Sequence, residues 1–147
     1  MSAGREIRYN GDFASADFDQ VDELFRAAGL GDRDPERYRE ACRRSYACVL
    51  AWDGDRVVGM GRLLSDGYVA SAVFDVAVHP DYQGRGVGRT IMGLLHQAAP
   101  RSTHLLFAVP GVEGFYRKMG YYDCKTGMIR PSDPEKAARA GYIELGE

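Results

Sequence analysis

The stretch that most constrains this chain is Gln83-Gly84-Arg85-Gly86-Val87-Gly88. It follows the apolar run Val73-Phe74-Asp75-Val76-Ala77-Val78 and precedes a helical pattern. A strand, a glycine-rich turn and a helix start, in that order, make a cradle for phosphate. The three glycines leave backbone N–H groups uncovered by side chains. The helix start adds unpaired N–H donors and the positive end of its dipole. A pyrophosphate fits such a turn with little side-chain help. Glycine-rich turns alone are common, so the specificity lies in the whole stretch.

The turn is not a P-loop, because no Gly-Lys-Ser or Gly-Lys-Thr follows it. It is also a poor dinucleotide fingerprint. His79-Pro80-Asp81-Tyr82 separates strand from glycines, and the region about 20 residues past Gly88 is an apolar run near Phe107 with no carboxylate.

The run from Asp75 through Val78, His79 and Pro80 to Gly88 resembles the acyl-CoA-binding motif of the GNAT N-acetyltransferases, Gln/Arg-x-x-Gly-x-Gly/Ala. Downstream, Phe115-Tyr116-Arg117-Lys118-Met119-Gly120-Tyr121 is similar to the family's Phe-Tyr-x-Lys-x-Gly-Phe segment. The two stretches stand in the family's order, with one helix and one strand between them. The resemblance is clear over residues 57–130 and weaker before.

Bulk properties set the remaining bounds. At 147 residues the chain is expected to form a single domain, residues 1–147, with a tail from 131 on. Hydrophobic content of 45% and charged content of 27% are ordinary for a globular protein. A net charge of −2 argues against nucleic acid as the main partner. Cys42, Cys48 and Cys124 form no Cys-x-x-Cys pair, and His79, His96 and His104 have no ligand-like spacing, so no metal is expected. The odd cysteine number and the lack of a signal-peptide pattern point to the reducing cytoplasm. No apolar stretch is long enough to cross a bilayer.

Periodicity and turn residues predict a strand at 7–9 and a helix capped by Ser15 or Asp17 and ended by Gly29. A second helix starts at Asp34-Pro35. Strands follow at 46–52, 56–64 and 68–78, the last central because its later half is apolar on both faces. Then come a buried helix from Gly88 to Pro100, a strand at 103–109, a short helix at 113–119 closed by Gly120, and a hairpin at 121–124 and 128–130. A helical turn at 133–140 ends the pattern.

The resemblance implies the GNAT fold, a mixed α/β (α+β) architecture. Its central sheet is mostly antiparallel, flanked by helices, with one splayed parallel pair, here residues 73–78 and 105–109. It implies acetyl-CoA as acyl donor and no metal. The pantetheine arm would pair with backbone of Val76, Ala77 and Val78 like an added strand. Gln83, Gly84, Arg85, Gly86, Val87, Gly88 and Arg89 would hold the pyrophosphate, the arginines by charge-assisted contacts. The N–H of Val76 or its neighbour would polarise the acetyl carbonyl. Tyr116 would protonate the leaving thiolate, or else pack beneath the donor.

The general base is open. Family members place a glutamate or histidine where Ala72 and Phe74 stand here, and neither can take a proton. Strand alternation turns Asp75 away from Phe74 and Val76 unless a bulge intervenes. Asp75 is therefore a candidate base that reads better as a structural group, with solvent water as the substitute. Phe25, Leu30, Tyr38, Trp52, Tyr68, Phe74 and Phe107 are available to line an acceptor site, most of them equally suited to the core. Phe25, Tyr68, Phe74 and Phe107 are the acceptor-binding candidates. The expected partner is a small-molecule amine, with neither nucleic acid nor membrane, and a homodimer is left open. A protein N-terminus or lysine as acceptor, and a non-catalytic acyl-CoA sensor, are the alternatives.

Overall fold

The computed structural model describes residues 6–146; residues 1–5 and 147, the ends of the expected domain, lie outside the described residues. The chain falls into two compact units, one reaching Leu106 and one starting at Phe107.

The first unit opens with β1 (Arg8–Asn10), then α1 (Phe18–Ala27) and α2 (Pro35–Arg44). Asp17 caps α1 by accepting from the Asp19 N–H at 2.9 Å. Asp34 caps α2 through the Arg37 N–H at 3.1 Å, with Pro35 opening the helix. β2 (Ala47–Asp53), β3 (Arg56–Ser65) and β4 (Ala70–Val78) follow, then α3 (Val87–Ala98) and β5 (Thr103–Leu105). The five strands form one sheet in sequence order, antiparallel except for the parallel β4–β5 pair. The expected mixed, mostly antiparallel architecture is what folds.

The two faces of the sheet bury different helices. Phe18, Val21, Leu24 and Phe25 of α1 and Cys42 of α2 cluster with Leu50, Trp52, Met60 and Ala77. On β3, Gly59 and Gly61 alternate with Met60 and face α3. A Cβ on Gly61 would stand 2.7 Å from Ile91 Cγ2 and 3.1 Å from Leu95 Cδ1. These glycines let α3 lie close against β3, and Val87, Ile91, Met92 and Leu95 are all buried there. Gly61→Ala is therefore expected to cost about 1–3 kcal/mol by overpacking, read as a lower denaturant midpoint with unchanged slope. An unchanged midpoint would mean that α3 can move away freely.

β4 starts two residues later than expected. The Asp66 carboxylate accepts the N–H groups of Tyr68, Val69 and Ala70 at 2.8, 2.7 and 3.2 Å, so Tyr68 belongs to the turn. β5 is also shorter than the predicted strand at 103–109. Its pairing runs Ala70↔Thr103, Ser71↔His104, Ala72↔Leu105 and stops, while β4 continues to Val78.

The second unit holds α4 (Glu113–Arg117) and α5 (Pro134–Arg139). Gly120, at φ 91°, ends the α4 segment, with the Tyr121 N–H bonded to the Tyr116 carbonyl at 3.2 Å. The predicted hairpin at 121–124 and 128–130 is not formed: these residues carry no strand pairing. Tyr122 and Met128, within those two stretches, are 92% and 93% exposed. Neither buries the surface that would offset the ordering of a two-stranded ribbon.

Candidate acyl-donor and acyl-transfer site

The centre of β4 departs from a regular strand at Asp75. Its φ of 55° is the one positive value at a non-glycine position among the described residues. Across from it, the β3 register passes from Met60↔Ala77 to Arg62↔Phe74, so Gly61 faces both Asp75 and Val76. This is a β-bulge, and aspartate is one of the few residues that tolerates the left-handed region.

The bulge corrects the reading from strand alternation. Asp75 does point away from Val76, whose Cγ2 lies on the α3 side, 3.5 Å from where a Gly61 Cβ would be. It shares its side with Phe74, however, because both meet Arg62. The Arg62 guanidinium lies 5.5 Å from the Phe74 ring centre, and Arg62 Nε donates to Asp75 Oδ2 at 2.6 Å. Arg33 Nε stands 3.5 Å from Asp75 Oδ1. The three side chains are only 10–18% exposed. Asp75 is thus bracketed by two guanidinium groups, and Arg33 stacks in turn over Phe25 at 4.2 Å and Tyr38 at 5.3 Å.

Pairing of β4 with β5 ends at Ala72↔Leu105, short of the bulge, while β4 continues to Val78. The His79 N–H donates to the Val58 carbonyl at 2.8 Å. Alternation along the strand then turns the Ala77 N–H and C=O toward β3 and those of Val76 and Val78 toward the opposite edge, where the Val78 carbonyl already accepts from the Gln83 side chain. Of the three residues proposed from sequence as backbone binders, Val76 and Val78 lie toward that edge, while Ala77 turns its backbone to β3 and its buried side chain to the core.

Beyond Val78 the chain turns through Pro80–Tyr82 into the glycines. Gln83 Nε2 donates to the Val78 carbonyl at 3.0 Å, folding the turn back on the strand end. The Tyr82 hydroxyl donates to Asp53 Oδ2, which ties the turn to the β2–β3 hairpin and raises the Tyr82 pKa through that carboxylate. Gly84 and Gly86 have φ of 77° and 80°, and nothing lies within 4 Å of where a Cβ would be on either. Gly86 is the N-cap of α3 and no side chain caps the helix. The first N–H groups of α3, from Val87, Gly88 and Arg89, have no intrahelical partners by construction. Val87 sends its side chain into the core at 2% exposure, so only its backbone serves the turn. Arg85 and Arg89 are exposed, with the Arg85 guanidinium 5.2 Å over the Tyr82 ring. An open glycine turn with uncapped donors and two flanking arginines fits a pyrophosphate.

In the second unit, Tyr116 is half-buried on α4. Its ring packs edge-on against Phe115 at 5.0 Å and Tyr121 at 5.8 Å. Burial pushes its phenol above the ordinary value of 10.0, with Tyr142 adding to the rise, and burial pushes Tyr121 up to about 12. Tyr116 therefore keeps its proton throughout the neutral range. Phe107, also in this unit, is 46% exposed and lies outside any strand.

The remaining acceptor candidates separate. Phe25 is 0% exposed and is core, a correction to its role as a lining residue. Tyr68 is 82% exposed on the β3–β4 turn, and Phe74 is half-buried beside Arg62. A polar cavity of about 650 Å³ opens elsewhere, between α1 and the β2–β3 hairpin, lined by Gln20, Glu23, Asp53, Arg56, His79 and Tyr82 among others. Sequence reasoning did not single out Arg33 and Arg62 as the bracket of Asp75. The signal available was slight: one arginine in the α1–α2 connection and another inside an otherwise apolar strand.

Comparison with known proteins identifies the family. A family model described as an acetyltransferase (GNAT) domain matches residues 44–123. The uncharacterized N-acetyltransferase ycf52 of Porphyra purpurea is 44% identical over 116 residues, 74% of this chain and 67% of its own. The chloroplastic serotonin N-acetyltransferase 2 of Oryza sativa subsp. japonica is 34% identical over 112 residues, 71% of this chain and 56% of its own. The chain thus spans about two thirds or less of the length of these curated relatives. Among solved structures, a GNAT family acetyltransferase from Streptococcus pneumoniae superposes with a TM-score of 0.70 at 31% identity, covering 86% of this chain and 97% of that one.

Proposed function

We propose, for a chain that belongs to the GNAT acetyltransferase family, that the acyl donor is acetyl-CoA and the acceptor is a primary amine on a small molecule, attacked directly in a ternary complex. The observation that carries this reading is the bulge at Asp75. Beyond it, the Val76 backbone and the Val78 N–H lie on a strand edge that runs into an open, uncapped glycine turn.

Bound acetyl-CoA supplies an activated thioester carbonyl and a good leaving thiolate. The turn residues Gln83, Gly84, Arg85, Gly86, Val87, Gly88 and Arg89 hold its pyrophosphate through backbone N–H groups, the α3 dipole and two cationic side chains. Val76 and Val78 hold the pantetheine by strand-like pairing. The Val76 N–H polarises the carbonyl as negative charge grows on its oxygen. The acceptor nitrogen gives its proton to water, the C–N bond forms, and the C–S bond breaks. Tyr116 delivers its phenol proton to the departing sulfur and is reprotonated from solvent. A reducing compartment such as the cytoplasm suits the free thiols of this chain.

An aromatic or otherwise compact amine is favoured by Phe74 beside the bulge and by the likeness to the Oryza sativa serotonin N-acetyltransferase. The test is a panel of aromatic alkylamines, amino sugars, polyamines and N-terminal peptides with acetyl-CoA, followed by free-thiol release and product mass. Turnover of a small amine well above the peptides is the expected result. Turnover confined to peptides would move the acceptor to a protein. CoA binding with no turnover of any amine would favour a sensing module.

Tyr116→Phe keeps the ring and removes the hydroxyl. Turnover is expected to fall about ten-fold, a modest acid contribution because a thiolate leaves well, with donor affinity unchanged. Wild-type turnover, measured with an amine for which chemistry limits the rate, would leave Tyr116 as packing.

A further inference from the structure

Two of the three cysteines meet in the fold although they form no sequence motif. Cys42 lies near the end of α2 and Cys48 near the start of β2, on either side of the connection between the two elements. Cys48 Sγ stands 3.2 Å from Cys42 Sγ, close enough for one thiol to donate to the other. Both are free thiols. Cys42 is 2% exposed in the core, whereas Cys48 is half-buried and offers the way in.

The surroundings favour reaction of this pair. Cys48 is the direct cross-strand neighbour of Arg62. The bond from Cys48 and the charges of Arg62 and Arg39 hold the Cys42 thiol below its usual range, against burial and Asp75. The same bond, burial and the Cys42 charge push Cys48 up. Cys42 is therefore the sulfur that ionises more readily, reached past the half-buried Cys48, and the 3.2 Å approach places Cys48 Sγ to attack it once it is oxidised.

We propose that Cys42 and Cys48 are a modification site that closes to a reversible intramolecular disulfide on exposure to a peroxide. The first thiolate attacks one peroxide oxygen and is oxidised to a sulfenic acid as hydroxide leaves. The second sulfur attacks the sulfenic sulfur, the S–S bond forms, the S–O bond breaks, and water leaves. In sum, two thiols and one hydrogen peroxide give one disulfide and two waters. The sulfurs approach by little more than an ångström, to about 2.05 Å. The bond ties the last turns of α2 to β2, beside the strand whose Arg62 holds Asp75. Cys124, the third free thiol, is exposed and is removed in the test so that only this pair is read.

The inference goes beyond the acetyl-transfer reading, and its test does not use activity. The protein carrying Cys124→Ser is treated with graded hydrogen peroxide. Thiols titrated after denaturation, intact mass, peptide mapping and the thermal midpoint are then followed. Both thiols should vanish together and the mass should fall by two hydrogens. Mapping should join the peptides bearing Cys42 and Cys48, and dithiothreitol should reverse all of it. The midpoint should rise by about 5 °C in the oxidised monomer, as expected for closing a short loop. A second variant with Cys48→Ser as well should show neither the mass loss nor the rise. Two thiols that persist, oxygen added to Cys48 without loss of the second thiol, or a disulfide-linked dimer would each overturn the proposal.

Discussion

Gly86→Glu should abolish measurable CoA binding, weakening it by at least about 100-fold, while the protein stays folded. Three effects act in one direction. Gly86 has φ of 80°, where a residue with a Cβ is strained by about 1–2 kcal/mol. No protein atom lies within 4 Å of its missing Cβ, so a new side chain would point into the space the turn leaves open rather than into the core. The added carboxylate would also sit at the uncapped start of α3, where it would satisfy the N–H groups meant for the pyrophosphate and repel the phosphates. Glutamate there could even stabilise the free protein, which separates loss of binding from loss of fold. Gly86→Asn tolerates the left-handed backbone and adds no charge, so it should lose far less. Isothermal titration with CoA and acetyl-CoA measures all three proteins. Equal affinity for wild type and Gly86→Glu would remove the turn from the donor site.

The parts of the fold that sequence made legible are those decided by local chemistry. Asp17, and Asp34 with Pro35, mark the helix starts, and Asp53-Gly54-Asp55 marks the hairpin between β2 and β3. The glycine turn was legible because its residues, its strand and its helix are contiguous. What could not be read depends on partners far along the chain. The bulge at Asp75 needs Arg62, thirteen residues away, and Arg33 from the α1–α2 connection. Alternation alone has no way to place an extra residue opposite Gly61. Phe25 is aromatic at a plausible lining position, yet its depth is set by four elements closing over it. The hairpin at 121–124 and 128–130 had strand-like residues without a surface to bury them. Cys42 and Cys48 looked unrelated because six positions on a helix-to-strand turn reveal no distance between sulfurs.

The bracket of Asp75 sets the second large expectation. Asp75→Asn keeps the shape and the tolerance for φ of 55°, and removes only the charge. Arg62 and Arg33, 15% and 18% exposed, would then face a neutral amide. Breaking a largely buried charge group by deleting one member costs about 3–5 kcal/mol, and a stability loss near the lower figure is expected because the guanidinium groups keep some water. Arg62→Met should destabilise as well. The double variant should lose much less than the sum of the two singles, because one broken contact cannot be broken again. Below the melting range, turnover in Asp75→Asn should remain substantial, with Asp75 acting only to hold the bulge that aims the Val76 N–H. The pH–rate profile should then track the pKa of the acceptor amine and move to lower pH when a less basic amine is used. A general base would behave differently. Its loss would leave the protein stable but nearly inactive, and the wild-type profile would stay at one pH whichever amine is supplied. Both carboxylate oxygens of Asp75 face a guanidinium group, at 2.6 and 3.5 Å, and these two neighbouring positive charges pair with the carboxylate and disfavour the approach of an ammonium acceptor.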